Sequence, residues 1–347
     1  MSAERICICD AQVPFVRGGA EMLRDSLRDE LTRRGFEVDV VTMPYHWPTR
    51  VDVLKGCLAW RLIDLTEASR KRIDRVIATR FPSYLVKHPH KVVWLVHQLR
   101  QVYDLLGTSY SDFTDTPRDR EVIAMVRDMD RRTLHEARGV FAISRNVAER
   151  LQRGNEVEAE VLYPPPRLDA CYHAGDFGDY VFAIGRLDVM KRCDLLIHAM
   201  KHTTTAVRCR IAGSGPEREA LAELAARLGV AERVELLGWV GDREVVELFA
   251  GACCVYFAPY DEDYGYVTVE AFKAGKPVVT TADAGGVLEF VEDGVNGFVC
   301  APDAPREIAA RLDRLFLDRQ EARALGAAGQ ARVQSIGWDR VIARLLG

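Results

Sequence analysis

The strongest constraint on the fold is a repeated alternation of short apolar runs with longer amphipathic stretches. In the first half the apolar runs are RICICD (5–10), VDVVT (38–42), RVIAT (75–79), KVVWLVH (91–97) and GVFAIS (139–144). Stretches with helical periodicity, such as 20–35 and 120–137, lie between them. Strands that alternate with helices in this way predict a parallel sheet covered by helices on both faces.

The proline run YPPPR (163–167) interrupts this alternation, and three consecutive prolines fit neither a helix nor a central strand. The alternation then restarts with YVFAIG (180–185), RCRIAG (208–213), RVELLG (233–238), CCVYFAP (253–259) and KPVVTT (276–281), with a helical stretch at 216–229. We therefore predict an α/β chain with two Rossmann-like, doubly wound parallel-sheet domains, at residues 1–165 and 166–333. A C-terminal helix at 334–347 is expected to pack back toward the first domain.

Composition restricts the class of protein. The 347 residues are 48% hydrophobic and 28% charged, which is typical of a soluble globular protein. The net charge of −4 gives no general attraction to nucleic acid, so no nucleic-acid partner is expected. The N-terminus lacks a signal-peptide pattern, and the nine cysteines lie mostly in apolar segments without zinc-ribbon spacing. These features predict a cytoplasmic location with reduced thiols.

Ligands of open α/β sheets bind beyond the carboxyl ends of the strands, so the loops there are examined for chemistry. In the first, VPFVRGGAE, Gly18 and Gly19 open a helix and would let backbone amides approach a ligand. A glycine pair at this place is more commonly only a turn. In the second, AIGRLDVMKRCD (183–194), three cations follow a strand end, namely Arg186, Lys191 and Arg192. Converging cations suit a diphosphate.

Two further loops complete the candidate site. IAGSGPERE (211–219) is a poor dinucleotide fingerprint because its third glycine is missing, although it could form a wall beside a nucleotide base or ribose. In DEDYGYVTVEAFKAG (261–275) a helix starting near Tyr266 would present the amides of residues 265–268 to an anion. Glu262 would precede that helix and Glu270 would lie one turn into it. Carboxylates beside a phosphate pocket accept hydrogen bonds from hydroxyls, which is the pattern of a nucleotide-sugar site.

Several motifs together resemble glycosyltransferase family four. They are GRLDVMK, the Glu-x7-Glu of EDYGYVTVE, and AFKAGKPVVTTADAGGVLEFVEDGVNGFV, with GGAE, IAGSGPE, VELLGWVGDREVVELF and IGWDRV in the right order. The resemblance covers nearly the whole chain. It implies the GT-B fold, with two domains facing across a cleft, and a retaining enzyme. The implied reaction moves a hexosyl unit from a nucleoside-diphosphate sugar to a saccharide or lipid-linked acceptor in glycan, polysaccharide or glycolipid assembly.

The same resemblance implies roles for individual residues. Arg186 and Lys191 would hold the donor diphosphate, and Glu262 would contact the donor sugar. Glu270 would bind the ribose hydroxyls, and His97 would lie near the reacting carbon. The implied donor-binding set is completed by Gly18, Gly19, Gly185, Gly213, Gly215, Trp239, Val240, Tyr264, Gly265, Tyr266 and Val267.

The chain also departs from the family pattern. Residues 263–266 read DYGY after Glu262, where the family usually has glycine, phenylalanine, glycine and leucine, and two phenols predict an altered donor-sugar pocket. Gln98 follows His97 where an aspartate is common. The Asp-x-Asp of 261–263 resembles the metal motif of the other large glycosyltransferase fold. We expect no metal and no other cofactor, because an Arg/Lys pair can neutralise a diphosphate without one.

Residues 50–100 carry a local positive charge, with eleven Lys and Arg against four Asp and Glu. Trp60, Phe81, Tyr84 and Trp94 are interspersed among them. Basic residues with aromatic side chains could contact anionic lipid at the inner face of the cell membrane. The alternative is that Trp94 lies in a core strand and that SRKRIDR is only a solvated face.

Three other classes of protein were weighed. A nicotinamide-dependent dehydrogenase would need a fuller glycine fingerprint after the first strand than CDAQVPFVRGG provides. A related sugar-nucleotide epimerase would lack GRLDVMK followed by Glu-x7-Glu. A non-catalytic partner subunit should have lost some of Arg186, Lys191, Glu262 and Glu270, whereas this chain retains all four. The sequence therefore favours an enzyme and leaves the nucleotide, the sugar and the acceptor open.

Overall fold

The computed structural model describes residues 3–15, 18–45 and 49–347. The chain forms two compact units. The first consists of Met1–Pro164 together with Gly337–Gly347, and the second of Pro165–Ile336. The change of unit thus falls within the proline run, and the last helix groups with the first unit.

The first unit is built on parallel strands. The strands are β1 (Arg5–Gln12), β2 (Glu37–Pro44), β3 (Glu67–Ala68), β4 (Lys71–Arg72), β5 (Arg75–Ala78), β6 (Lys91–Leu95), β7 (Gly139–Ala142) and β8 (Glu160–Val161). Within the described residues, six of them form one parallel sheet in the order β2-β1-β5-β6-β7-β8, while β3 and β4 pair separately as an antiparallel hairpin. The helices between them are α1 (Gly19–Arg33), α2 (Arg50–Leu62), α3 (Pro117–His135) and α4 (Arg145–Asn155).

The second unit repeats the same design. Its strands are β9 (Tyr180–Ile184), β10 (Arg208–Ala212), β11 (Val234–Gly238), β12 (Cys254–Tyr256), β13 (Val278–Thr281) and β14 (Gly297–Cys300). In the described part of the chain they form a parallel sheet in the order β11-β10-β9-β12-β13-β14. The helices are α5 (Cys193–Met200), α6 (Arg218–Arg227), α7 (Asp242–Gly251), α8 (Tyr266–Lys273), α9 (Pro305–Leu317) and α10 (Arg319–Val333).

Hydrophobic periodicity explains both layers of each unit. All five residues of β6, KVVWL, are buried, as expected for a strand with helices on both faces. Helix α1 buries Leu23, Leu27 and Leu31, which are spaced four residues apart on one face. The ten strand runs read from the sequence each coincide with a strand, so the prediction of two parallel-sheet α/β domains is confirmed.

The C-terminal helix α11 (Trp338–Leu346) packs within the first unit. Its Trp338 ring meets Trp94 edge-on, with ring centroids 6.2 Å apart. Arg75 donates a hydrogen bond of 3.1 Å to the Leu345 carbonyl, and Arg344 pairs with Glu160 of β8. The helix therefore covers the sheet at β5, β6 and β8.

The strand order of each sheet reverses at one point, and that point locates the candidate site. In the first sheet the reversal lies between β1 and β5, and in the second between β9 and β12. Loops that leave the carboxyl ends of strands on either side of such a reversal diverge and create a crevice.

Candidate functional site

The crevice of the second sheet is bordered by residues 185–192 after β9 and residues 257–265 after β12. A hydrogen bond of 2.8 Å from the Tyr260 amide to the Met190 carbonyl joins the two loops. The cationic motif and the acidic motif found in the sequence therefore meet at the reversal of strand order.

An ion pair crosses this crevice. The Lys191 ammonium group donates a short hydrogen bond to Glu262 Oε2, and both side chains are about one quarter exposed. Lys191 ends a single 3-10 turn (Val189–Lys191), whose start is capped because Asp188 accepts a hydrogen bond from the Lys191 amide. Arg186 is 60% exposed and donates to Asp188 Oδ2 over 2.7 Å. Asp188 thus holds the Arg186 guanidinium and the backbone of Lys191, while Glu262 holds the Lys191 ammonium group.

Arg192 does not belong with the other two cations, so of the two or three cations expected to converge at this strand end, Arg192 is not one. Arg192 is buried and has a left-handed backbone conformation with φ of 48°. Its guanidinium pairs with Asp283 at 2.7 Å and donates to the Ala258 carbonyl at 2.8 Å. It therefore links the carboxyl ends of β12 and β13 inside the unit and is turned away from solvent.

Two of the predicted glycines are required by the contact between loops. A Cβ atom on Gly213 would lie 1.8 Å from the Gly185 carbonyl oxygen, and one on Gly215 would lie 2.2 Å from the Leu187 carbonyl oxygen. The Leu187 amide also donates to the Ser214 carbonyl over 2.9 Å. The loops after β9 and β10 thus pack backbone against backbone, which keeps the cationic loop in place whether or not a ligand is present.

The acidic loop is held by a second glycine pair that the sequence reading quoted but gave no role. The Glu262 amide donates to the Ala284 carbonyl at 3.1 Å, and the Gly286 amide donates to the Glu262 carbonyl at 2.7 Å. A Cβ on Gly285 or Gly286 would lie 2.5–2.6 Å from a carbonyl oxygen of this loop. The sequence signal was the Gly-Gly of TADAGGV, which directly follows β13.

Helix α8 begins at Tyr266, as predicted, with Gly265 before it at φ of 87°. A residue in this left-handed conformation is normally glycine. Tyr264 is buried, and its ring packs edge-on against Tyr266 at 5.0 Å and Phe290 at 5.4 Å between centroids. This aromatic packing orients the first turn of α8, which includes Val267, relative to the preceding loop.

Glu270 lies one turn into α8 beside residues that the sequence reading missed. Burial raises the pKa of Glu270 to about 7, although a hydrogen bond from the Tyr172 phenol and the charge of Arg167 act in the opposite direction. Arg167 is itself paired with Asp242 at 2.7 Å, and Tyr172 packs edge-on against Phe249. Both residues come from the segment that follows the prolines, where no motif marked them.

Trp239 and Val240 follow β11 at the edge of the second sheet. The Trp239 side chain is 81% exposed, and the Gly213 amide donates to the Gly238 carbonyl directly before it at 2.7 Å. The predicted residues of the second unit therefore all lie on the carboxyl side of one sheet, in the order of strands β11, β10, β9 and β12.

Gly18, Gly19 and His97 belong to the first unit. Gly18 precedes α1, and its amide donates to Glu21 Oε2 over 2.8 Å. The other Glu21 oxygen accepts from Arg80, which also pairs with Asp10 at 2.7 Å and donates to the Ala11 carbonyl. These three charged side chains are buried. Arg80, which lies two residues beyond the end of β5, therefore connects β1 to the start of α1.

His97 is half-buried and lies two residues beyond the end of β6. Its Nδ1 is 2.8 Å from the Gln98 carbonyl oxygen. A carbonyl only accepts hydrogen bonds, so Nδ1 carries the proton, and in the neutral ring Nε2 is an acceptor.

The aromatic side chains of the segment 50–100 do not form the exposed surface that contact with lipid would need. Trp60 in α2 and Trp94 in β6 are buried, and so are Phe81 and Tyr84 in the segment between β5 and β6. Lys91 is buried too and donates to three backbone carbonyls, those of Tyr84, Val86 and Thr133. The exposed apolar side chains of α2 are instead Val51, Leu58 and Leu62.

Among the residues that the structure describes, none of the helices has both the length and the apolar character needed to cross a bilayer. The same part of the chain shows no cluster of three or more His, Cys, Asp or Glu side chains suited to holding a metal ion.

Comparison with known proteins shows what the residues around this site resemble. Residues 176–332 match the family model "Glycosyl transferases group 1". A D-inositol 3-phosphate glycosyltransferase of Streptomyces griseus is 36% identical over 168 residues, which are 45% of this chain and 35% of that protein. The chain thus spans about a third of the length of that curated relative. An uncharacterized glycosyltransferase of Methanocaldococcus jannaschii is 26% identical over 88% of this chain and 87% of its own.

The fold is shared with solved structures. HepE of Anabaena, crystallised with UDP and glucose, superimposes with a TM-score of 0.72 at 22% identity, covering 98% of this chain and 99% of that one. These matches confirm the GT-B fold and the resemblance on which it was predicted. The matched residues 176–332 lie in the second unit, whose sheet carries the Lys191–Glu262 pair, so the sequence similarity to group 1 glycosyl transferases includes this candidate site.

Proposed function

We propose that the chain is a retaining, metal-independent glycosyltransferase. It transfers a hexosyl unit from a nucleoside-diphosphate sugar to a saccharide or lipid-linked acceptor in the assembly of a glycan, polysaccharide or glycolipid. The observation that carries this proposal is the Lys191–Glu262 pair at the reversal of strand order in the second sheet, with Arg186 held beside it by Asp188.

Cleavage of the bond between sugar and diphosphate leaves negative charge on the departing nucleoside diphosphate. Lys191 and Arg186 stabilise that charge, and because Glu262 already holds the Lys191 ammonium group and Asp188 the Arg186 guanidinium, little reorganisation is needed during the reaction. An ammonium group has three donors, so Lys191 can bind phosphate oxygens while it keeps its bond to Glu262. The amides at the start of α8 add the positive end of a helix.

The two glutamates recognise hydroxyl groups. Glu262 accepts from hydroxyls of the donor sugar, and Glu270, held by Tyr172, accepts from the ribose. His97 offers the Nε2 lone pair to a sugar hydroxyl near the reacting carbon. The base rests against backbone after β10 and β11, near Gly213, Gly215 and Trp239. In this arrangement the acceptor attacks from the side of the leaving group, which gives retention.

The solved relative suggests where to begin with the donor. HepE is crystallised with UDP and glucose, so uridine diphosphate and its glucose conjugate are the first candidates here. The curated relative that acts on an inositol phosphate aligns with 45% of this chain, so the acceptor is proposed only as a class.

The proposal includes contact of the first unit with an anionic membrane surface at the inner face of the cell membrane. The residues concerned are the exposed apolar side chains of α2, namely Val51, Leu58 and Leu62, and the exposed basic hairpin residues Lys71 and Arg72. Co-sedimentation with phosphatidylglycerol vesicles should fall for Leu58→Ser/Leu62→Ser. Equal binding by the variant and the wild type would contradict this contact.

The central experiment measures thermal unfolding with UDP, GDP, ADP and dTDP, for the wild type and for Lys191→Ala, Glu270→Ala and Lys201→Ala. A nucleotide at 100 times its dissociation constant stabilises a protein by about 2.7 kcal/mol. We expect one nucleotide to stabilise the wild type and the Lys201→Ala control, whose exposed lysine follows α5, but neither of the other variants.

Turnover of the matching nucleotide sugar then tests the reaction itself. Loss of one fixed group that stabilises transition-state charge costs about 2.7–4 kcal/mol, so kcat of Lys191→Ala should fall about 10²–10³-fold. If no nucleotide stabilises the wild type, the enzyme proposal fails, and a non-catalytic partner subunit becomes the better description.

A further inference from the structure

A chain of buried polar side chains leads from the helices of the first unit to the residue next to His97. Gln98 Nε2 donates to Asn155 Oδ1 through a short hydrogen bond, and Asn155 Nδ2 donates to the Tyr103 hydroxyl at 2.8 Å. The Tyr103 hydroxyl donates to Asp130 Oδ2 at 2.7 Å. Gln98, Asn155 and Asp130 are at most 2% exposed. Four side chains thus form one continuous path.

The direction of this path is determined by its end. In its ionised form the Asp130 carboxylate only accepts, so Tyr103 then donates to it and accepts from Asn155 in turn. Asn155 then has its carbonyl oxygen left to accept from Gln98. Each hydrogen bond therefore specifies the next, and consecutive bonds of this kind polarise one another. The Gln98 side chain is left with one arrangement.

The members of the chain come from separate elements that pack together. Asp130 lies on α3 and Asn155 ends α4, while Tyr103 and Gln98 lie in the loop after β6. The preceding glycine shows how closely they fit, because a Cβ on Gly154 would lie 2.7 Å from Cδ1 of Tyr103. A helical glycine is otherwise unfavourable, so its presence here makes room for the Tyr103 ring.

Asp130 is held in an unusual environment. Burial raises its pKa to about 7, and the hydrogen bond from Tyr103 acts in the opposite direction. The charge of Asp130 raises the pKa of four nearby acidic groups, those of Tyr45, Cys57, Tyr84 and Tyr103, which burial also keeps neutral. Such a carboxyl group is costly to bury, so its retention indicates a positional role.

The path reaches His97 through the Gln98 peptide. The Gln98 side chain is fixed by Asn155, and the Gln98 carbonyl accepts the hydrogen bond from His97 Nδ1. The side-chain bond to Asn155 anchors the Gln98 backbone, so a shift of the Gln98 peptide after loss of that bond would move its carbonyl away from His97 Nδ1.

We propose that Tyr103 and Asn155 are positioning residues that, through Gln98, keep the His97 imidazole in the Nδ1–H tautomer, with Asp130 as the acceptor that ends the chain. The catalytic consequence rests on the proposed function, because it requires His97 to face a donor sugar. The tautomer does not depend on that function. It follows from the hydrogen bonds alone.

The first measurement is NMR of the full chain with 15N-labelled histidine, in which His97→Gln identifies the His97 signals among the eight histidines. The test variants are Tyr103→Phe and Asn155→Leu. Tyr84→Phe is the matched control, since it removes a phenol beside the same carboxyl group without interrupting the path to Gln98. We expect the Nδ1–H tautomer in the wild type and in Tyr84→Phe, and mixed tautomers in both test variants. An unchanged His97 tautomer in Tyr103→Phe and Asn155→Leu overturns the inference.

The second measurement is turnover of the nucleotide sugar selected above. We expect kcat of Tyr103→Phe to fall about three- to tenfold, the effect of one neutral hydrogen bond, while the dissociation constant of the nucleotide stays that of the wild type. Equal kcat values for Tyr103→Phe and Tyr84→Phe contradict the catalytic part. If the wild type itself turns over no nucleotide sugar, the proposed function fails, and the NMR result alone decides the inference.

Discussion

The two sheets use charged side chains at their points of reversal in opposite ways. In the first unit Asp10, Glu21 and Arg80 form a buried network, and Arg80 connects the end of β1 to the start of α1. In the second unit Lys191 and Glu262 are partly exposed and Arg186 is largely exposed. Both places lie at the carboxyl ends of parallel strands. The comparison indicates that charges of the first kind hold the backbone, whereas those of the second kind remain accessible to a ligand.

Arg80→Met should produce the largest effect, because it removes the cation shared by two buried carboxylates and leaves Asp10 only its longer pair with Arg24 at 3.4 Å. Removing one member of a buried ion pair costs about 3–5 kcal/mol of unfolding free energy. Urea unfolding followed by tryptophan fluorescence measures this in the first unit, where Trp60 and Trp94 are buried. Arg28→Met, at an exposed pair with Asp29, is the control and should change stability by less than about 1 kcal/mol. Similar losses in both variants would contradict the distinction.

The pH dependence of nucleotide binding should show the next largest effect. Burial raises the pKa of Glu270 to about 7, so below that pH the carboxyl group of the ligand-free protein is protonated. If ribose binds the ionised form, the affinity falls about tenfold, or 1.36 kcal/mol, per pH unit below 7 and levels off above it.

Calorimetric titration of UDP between pH 5.5 and 8.5 measures that slope. Glu270→Gln is the control, since it keeps the shape of the side chain and leaves only the ionisation of the nucleotide itself. The stability of the ligand-free protein should change in the reverse sense. Because the raised pKa favours the neutral acid in the folded state, Glu270 contributes to the free energy of unfolding at acid pH. This contribution is lost as the pH rises through about 7. Parallel binding curves for the two proteins would rule out Glu270 as the titrating group.

Asp188→Ala should have the smallest effect. It removes the cap of the turn that carries Lys191 and the partner of Arg186, which costs about 1 kcal/mol in comparable caps. We expect nucleotide affinity to weaken about fivefold with little change in melting temperature. Asp194→Ala is the control, as Asp194 is exposed in the first turn of α5. A large drop in melting temperature would instead make Asp188 part of the core.

Much of the second unit could be predicted, because its signals are local in sequence. The start of α8 at Tyr266 followed from a glycine before an apolar helix, and the cationic loop followed directly from β9. The sequence could not show that Arg192 differs from Lys191. The two residues are adjacent, and the directions of their side chains depend on the backbone conformation, which is left-handed at Arg192. Tyr172 and Arg167 were missed for a related reason, because they reach Glu270 from a segment about 100 residues away.

The first unit was read less completely. Its aromatic residues at 60, 81, 84 and 94 could have faced lipid or the core, and the structure shows that all four are buried in the core. The role of Glu21 in GGAE was not foreseen because its partner, Arg80, follows another strand. Helix α2 and the β3–β4 hairpin carry no pattern that the sequence reading used.

The sequence by itself determined the two parallel-sheet domains, the family resemblance and the loops in which the candidate residues lie. Periodicity and glycine positions are written along the chain, so they can be read without knowing what packs against what. The tertiary structure decided which charges pair, which are buried, and that Asn155, Tyr103 and Asp130 form one path to Gln98. Those properties depend on contacts between residues far apart in sequence, and a side chain's partner and solvent exposure exist only after the sheets and helices have come together.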